Sequence, residues 1–384
     1  MKNLLTLAII LTSATAFATR SRMNALGNSA HLVDVNTAYG NPADMMSYKD
    51  SLTLETGKTN LAYPADATTS VGAEGLLIRS MGDAKMGLSL GHDNAMVFSQ
   101  RSMMDTNLAT SAADNTGVLT QQNPFAYFYA AKAGDMAWGA SLEYSNHNNK
   151  TLNAEAKESS MAVNLGARTP IWDAAVNVLL TNTWESGTAA ATKNEFKGNT
   201  GFAISGGYYM SSDLYIYGNV TSGGFKSTIT TANVGTDGVA YDQMDYKLGV
   251  VSTVKQDANE FFYGVALAST SMKQKTAAIA PAAQKSSTMA LPLIIGLETD
   301  AASWLTLRGS VTQTVLINDD KVAPDVGNPT KDLSPGDNNT KFAAGAGLKL
   351  NAVTLDGTIL ANGSQALNAG TGNLFTQVGL TYNF

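Results

Sequence analysis

The sequence predicts an all-β protein, a transmembrane antiparallel up-and-down β-barrel of about 16 strands, with 14 as the alternative. Three observations carry this. Apolar and polar residues alternate in segments of about 9–13 residues from about residue 50 to the C-terminus, the length a tilted strand needs to cross a bilayer. The connections between these segments alternate short and long. Beyond residue 18, no apolar run approaches the ~18 residues of a spanning helix, so a membrane fold must be a sheet closed on itself.

Composition agrees. The chain has 384 residues, of which 15% are charged, with 35 Gly and a net charge of −6. Low charge with abundant Gly, Thr, Asn and Tyr favours strands and turns. An acidic chain lacks the basic face that a nucleic-acid partner requires. Cysteine is absent, which excludes disulfides, zinc–thiolate sites and thiol nucleophiles.

The elements follow in order. Lys2, the apolar run Leu4 to Leu11 and the small-x-small site Ala16-Phe17-Ala18 read as an export signal over 1–18, cleaved to start the mature chain near Thr19. Residues 19–48 form a separate N-terminal segment, and 49–384 the barrel. Strands are expected at 50–58, 71–79, 85–92, 125–133, 137–147, 159–168, 172–183, 200–210, 213–222, 243–255, 260–271, 287–299, 303–317, 340–350, 353–362 and 373–384. Met161, Val163 and Leu165 oppose Asn164 and Arg168; Phe261, Tyr263, Val265 and Leu267 share a face; so do Leu291, Leu293, Ile295 and Leu297. Pro292 lies inside one such segment and predicts a bulge or kink, because it removes a ladder donor. Long loops are expected at 59–70, 93–124, 148–158, 184–199, 223–242, 272–286, 318–339 and 363–372. Short turns on one side and long loops on the other are the habit of outer-membrane barrels, and this count puts both termini in the periplasm. The acids of 318–339 lack EF-hand spacing, so no metal is expected.

Leu374, Val378, Leu380, Tyr382 and the terminal Phe384 share one face. This resembles the terminal signature of bacterial outer-membrane proteins, which implies the barrel-assembly machinery as a partner and Phe384 as the assembly signal. Gly27, Asp34 and Asn41-Pro42-Ala43 resemble the N-terminal segment of fatty-acid-transporter-like barrels, although the double glycine of that pattern is reduced to Gly27. The resemblance implies a segment folded inside the barrel; the residues alone also fit a periplasmic leader with one helical turn and an Asn-Pro turn. Size, acidity, the lack of cysteine and this leader together are similar to the porin-like major outer-membrane proteins of predatory bacteria, which implies an abundant barrel of the cell's own outer membrane.

In a barrel the apolar set faces lipid and the small polar set faces the lumen. Alternation places Glu55, Lys85, Glu143, Arg168, Lys247, Arg308, Lys341, Lys349 and Asp356 inward. Arg101 and Asp105 join them if the 93–124 loop folds into the lumen. With both signs present, these pore-lining candidates predict weak ion selectivity; each also fits a wall salt bridge. Tyr127, Trp138, Tyr144, Tyr208, Trp304 and Tyr382 form the expected aromatic girdles.

The leading expectation is a porin-like channel for passive diffusion of small hydrophilic solutes and ions. The alternatives are a transporter for hydrophobic small molecules of the fatty-acid-transporter type and a structural or adhesive surface barrel. The histidines His31, His92 and His147 belong to no hydrolase motif, so no enzyme, catalytic residue or cofactor is expected. The expected partners are outer-membrane lipid and small solutes, with a homotrimer as porin-like barrels often form.

Overall fold

The computed structural model describes residues 19–56, 73–108, 121, 123–150, 154–188, 192–231, 234–276, 284–322, 340–362 and 377–384. Its strands are β1 (Ser51–Thr56), β2 (Ala73–Met81), β3 (Ala84–Leu90), β4 (Phe125–Ala133), β5 (Met136–Lys150) and β6 (Ala154–Arg168). Then come β7 (Trp172–Thr188), β8 (Thr192–Gly198), β9 (Gly201–Ser211), β10 (Leu214–Thr231), β11 (Val234–Gln256) and β12 (Asn259–Thr276). The last are β13 (Gln284–Ala302), β14 (Leu305–Val322), β15 (Lys341–Leu350), β16 (Val353–Asn362) and β17 (Gln377–Asn383).

Each strand except β8 pairs antiparallel with the next in sequence, and β1 pairs with β17, with Ser51 opposite Asn383. The sheet is therefore a closed cylinder without a free edge, which satisfies every strand's backbone within hydrocarbon. β8 and β9 share one place in the wall: β7 pairs with β9 from Trp172 to Leu179 and with β8 from Thr183 to Gly187. Counting them once gives the sixteen strand positions that the alternation predicts.

Tight two-residue turns join Met81 to Ala84, Ala133 to Met136, Gln256 to Asn259 and Leu350 to Val353. Gly82, Gly134, Asp257 and Asn351 hold the positive φ that such turns impose at their first position. Pro292 acts as its chemistry requires. Pairing of β12 with β13 stops at Val265–Leu293 and resumes at Ala268–Ala290, skipping Leu291 and Pro292.

The loop expectations need correction. Much of 148–158, 184–199, 223–242 and 272–286, and the start of 318–339, continue the ladder, so that β10 and β11 reach 18 and 23 residues. Hydrophobic alternation marks only wall that touches lipid; where the cylinder stands in water, polar residues on both faces disguise the strands. The 93–124 segment is likewise not all loop: after the short helix α1 (Arg20–Ala25) of the N-terminal segment, Ala95–Leu108 forms a second helix, α2. The expected loops at 59–70 and 363–372 lie outside the described residues.

The outer wall carries an apolar band. Leu165, Ile204, Leu248, Leu267, Ile295 and Val311 are exposed, while their inward neighbours Val251, Phe262 and Ala266 are buried. No helix among the described residues is long and apolar enough to cross a membrane; the crossing is made by strands. Trp138, Tyr208, Trp304 and Tyr382 are exposed near the short-turn end and Tyr127 near the opposite end. Tyr144, less exposed, packs its ring 5.6 Å from that of Phe125. Phe384 is exposed, with the Arg79 guanidinium 5.1 Å from its ring centre.

Val265 lies mid-band, between Val250 and Leu293. Val265→Arg is expected to lower the folding free energy in lipid vesicles by about 2–4 kcal/mol, read from denaturant unfolding curves.

Candidate functional site: the occupied lumen

Residues 19–50 are shaped by local signals. The helix α1 (Arg20–Ala25) starts at Thr19, whose hydroxyl accepts from the Arg22 amide. Gly27 and Asn28 take left-handed conformations, with φ of 64° and 53°, and end the helix. Asp34 caps a 3-10 turn at Val35–Tyr39 with Thr37 reciprocating, and Asn41 caps a second at Pro42–Ser47, with proline at its first position.

This segment lies against inward-facing wall. A Cβ on Gly139 of β5 would stand 2.5 Å from the Pro42 carbonyl carbon, and one on Gly345 of β15 would stand 2.7 Å from the Ala25 side chain. The wall thus carries glycine where the Asn-Pro-Ala turn and α1 approach most closely. Apolar contacts fall in two groups. Val35, Ala38 and Met45, with Tyr39 and Met46, cover Leu76, Ile78 and Phe128. Met23, Leu26 and Leu32 cover Val251 and Phe262, with Ile294 beside them. Buried apolar surface of this kind contributes about 25 cal/mol per Å².

Charges fasten the segment. The Arg22 Nε donates to Glu298 at 2.7 Å, and Arg308 joins Glu298 at 2.8 Å to Asp356 at 2.5 Å. The Thr19 hydroxyl donates to Asp356 at 3.2 Å. Arg20 pairs with Glu74 at 2.7 Å, and His92 meets Glu74 at 2.9 Å while stacking on Tyr39 with ring centres 3.4 Å apart. Arg168 binds Asp44 and lies 3.6 Å from Asp173. Breaking one partner of a buried pair of this type costs about 3–5 kcal/mol, because the other charge is left stranded.

Burial also acts on the segment's own acids. It pushes Asp34 up to about 7, against the pull of Arg22 3.6 Å away. Asp44 is raised in the same way, although Arg168 opposes it.

α2 occupies another part of the lumen. Arg101 donates to Glu158 at 2.8 Å and to Asn182 at 2.8 Å, all three being buried. Val97 packs on Ala162 and Leu179. Gln100 donates to the Asn199 carbonyl at 3.0 Å, beside the break between β8 and β9.

The pore-lining candidates divide accordingly. Glu55, which accepts from the Arg20 amide, belongs with Arg168, Arg308 and Asp356 to the anchorage of residues 19–50. Lys85 donates to the Tyr48 carbonyl. Arg101 anchors α2, and Glu143 accepts from Asn94 just before it, at 2.8 Å. Lys247 stands over the Tyr217 ring at 5.6 Å. Lys349 pairs with Asp300 at 2.8 Å, and Lys341 is exposed. The Asp105 side chain lies outside the described residues. Alternation also puts Glu74 and Glu298 inward, and they were readable as lumen residues; Glu158 was not, because it falls in an expected loop that the structure makes part of β6, and neither were Asp34, Asp44, Arg20 and Arg22, because their segment has no periodicity.

The barrel is similar to the CymD monoaromatic hydrocarbon channel, at 8% identity and a TM-score of 0.40, over 95% of this chain and 97% of that one. It is also similar to the Pseudomonas putida toluene transporter TodX, at 10% and 0.38 over 96% and 98%. For the unliganded ferric citrate transporter FecA the values are 6% and 0.46 over 81% and 50%. No family model matches the chain, and no curated protein is similar to it. Likenesses this distant fix neither solute nor mechanism, and none of the three is a porin of a predatory bacterium.

Two outcomes are expected. At Gly27 a side chain meets both a positive φ and Ile294 Cδ1 at 2.9 Å, so Gly27→Val loosens the segment by at least about 1–2 kcal/mol. This will appear as faster tryptic cleavage after Arg20 and Arg22. The second concerns pH. A carboxyl whose pKa rises from an ordinary ~3.9 to about 7 on docking keeps its proton preferentially in the docked state. Docking therefore weakens as pH rises from about 4 to about 7 and is flat above that. Hydrogen exchange over residues 20–40, corrected for intrinsic rates, will show this slope, and Asp34→Asn will reduce it, leaving the part due to Asp44.

Proposed function

We propose that the protein is a gated outer-membrane channel for small hydrophobic molecules, with residues 19–50 as its plug. One observation carries this reading. The inward wall bears two apolar surfaces, Leu76–Ile78–Phe128 and Val251–Phe262–Ile294, that the N-terminal segment covers. A bore built for hydrophilic solutes has a polar lining, and apolar groups facing its water would have no purpose. If the segment shifts, the same surfaces can hold an apolar solute by the burial that now holds the segment.

The arrangement favours this reading over a general diffusion porin. Of the charges that would set a mixed-charge constriction, Glu55, Lys85, Arg168, Arg308 and Asp356 are engaged by the segment, Arg101 belongs to α2 and Glu143 holds Asn94 just before it, so these act as fastenings. The small cavity between Val35, Tyr39, Thr53, Glu55, Glu74 and Leu76 is where movement of the segment would first open space. The solute class coincides with the one named for CymD and TodX; here it rests on the lining side chains.

Two measurements test the proposal together. In planar bilayers the mature barrel is expected to show little steady conductance, and a form lacking residues 19–48 to show a stable open channel. Cells making the intact barrel are expected to take up labelled toluene faster than cells without it. A large steady conductance from the intact barrel, with sugars entering proteoliposomes and no gain in toluene uptake, would identify a hydrophilic porin instead.

A further inference from the structure

The outer wall at the long-hairpin end carries a cluster of lysines that neither the fold nor the lumen uses. Lys197 on β8 stands directly opposite Lys226 on β10, and Lys273 on β12 directly opposite Lys285 on β13. Lys226 pairs with Ala240 of β11, which pairs in turn with Lys275 of β12. All five side chains are exposed, and among the described residues none makes an ion pair. Directly opposed residues have Cβ atoms about 5 Å apart, and like charges so placed repel. Two such pairs in adjoining rows, on a chain of net charge −6, weaken the ladder unless an anion lies between them.

The acids on this wall do not neutralise the cluster. Glu185 and Glu195 are held by Lys193 at 2.9 and 2.5 Å. Asp242, opposite Lys273, accepts from Asn199 at 3.1 Å, and Asp320 of β14 stands in register with Ser287, one row from Lys285; with these, two acids stand against five lysines.

The position identifies the anion. On β11, β12 and β13 the lysine row Asp242–Lys273–Lys285 is followed by Met244–Ser271–Ser287 and then Tyr246–Ser269–Met289. From there the exposed residues are apolar: Leu248 and Leu267, then Val265 and Leu293, then Ile295, and at the far edge Val254, Phe261 and Leu297. The lower lysine row thus lies four residues from the mixed row Tyr246–Ser269–Met289 and six from Leu248 and Leu267, about 14–20 Å along the strands and about 10–16 Å in height at a strand tilt of ~40°. That is the depth of lipid headgroups. Lys226 and Lys275 are two strand spacings apart, about 10 Å, so the cluster has two foci: Lys197 with Lys226, and Lys273 with Lys275 and Lys285.

We propose that this face binds a lipid whose headgroup carries two phosphates, one at each focus, with its acyl chains against Leu248, Leu267 and Leu293. A soluble polyanion would use the lysines but leave the adjoining apolar band idle. A membrane amphiphile uses both at once, and lysines just outside the hydrocarbon attract anionic headgroups.

The test uses the mature barrel and a bis-phosphorylated glucosamine lipid as probe, with binding read by native mass spectrometry from detergent. The variant Lys197→Gln/Lys226→Gln/Lys273→Gln/Lys275→Gln/Lys285→Gln is expected to bind at least about tenfold more weakly. Lys255→Gln, at the short-turn end, is expected to bind like the parent. The dephosphorylated lipid is expected to bind the parent as weakly as the intact lipid binds the variant. If the fivefold variant does not give the heat-modifiable folded band, Lys273→Gln/Lys285→Gln replaces it, with a smaller loss of the same sign expected. Equal binding by parent and variant overturns the proposal. So does displacement of the lipid by heparin or inorganic phosphate at matched concentration, which would make the face a site for a soluble anion.

Discussion

Backbone amides cannot remain unpaired in hydrocarbon, and the rest of this structure depends on that constraint. Each unsatisfied group in lipid costs several kcal/mol. A strand can cross only if both its neighbours are strands, and a sheet meets that condition everywhere only by closing. The pairing of Ser51–Thr56 with Val378–Asn383 is where the chain meets it. Once the wall is closed, side chains have two destinations, lipid or lumen, and alternation follows from geometry.

The lumen then poses the opposite problem. A cylinder of sixteen strands encloses more space than its own inward side chains can fill. Here the chain fills part of it with residues 19–50 and with α2, and the wall is shaped to receive them. Glycine stands where the backbone of the Asn-Pro-Ala turn approaches, and Leu76, Ile78 and Phe128 stand where its apolar side chains lie. Glu298, Arg308 and Asp356 form a relay that Arg22 and Thr19 complete. Charged groups set in a dry interior require partners, and this relay has all of its partners when the segment is seated. A plug held by apolar contact and buried ion pairs can be released by a solute that competes for the apolar part. This links the packing to the proposed gating.

Outside the wall the same strands serve different environments along their length. β12 and β13 run from the short turns through an apolar band, then through serine and methionine, to lysine. That gradient is the profile of a hydrocarbon core and the headgroup layer beyond it, written along two strands. It gives the lysine cluster a chemical meaning that the same residues would lack on a soluble sheet.

The sequence by itself determined the closed wall, the number of strand positions, the tight turns and the inward or outward sense of most membrane residues. Each of these follows from a period of two and from turn chemistry, both local properties. Pro292 belongs with them, since the gap in its ladder is dictated by a missing N–H. The true length of β10 and β11 was hidden, because strands standing in water need no apolar face. Only the tertiary structure decided which charges meet. Arg168 reads as a bore residue by alternation, yet its partner Asp44 lies 124 positions earlier, and Glu298 and Arg22 are 276 apart. Contacts at that separation depend on how an aperiodic segment folds back through a closed cylinder, and no local pattern encodes that path.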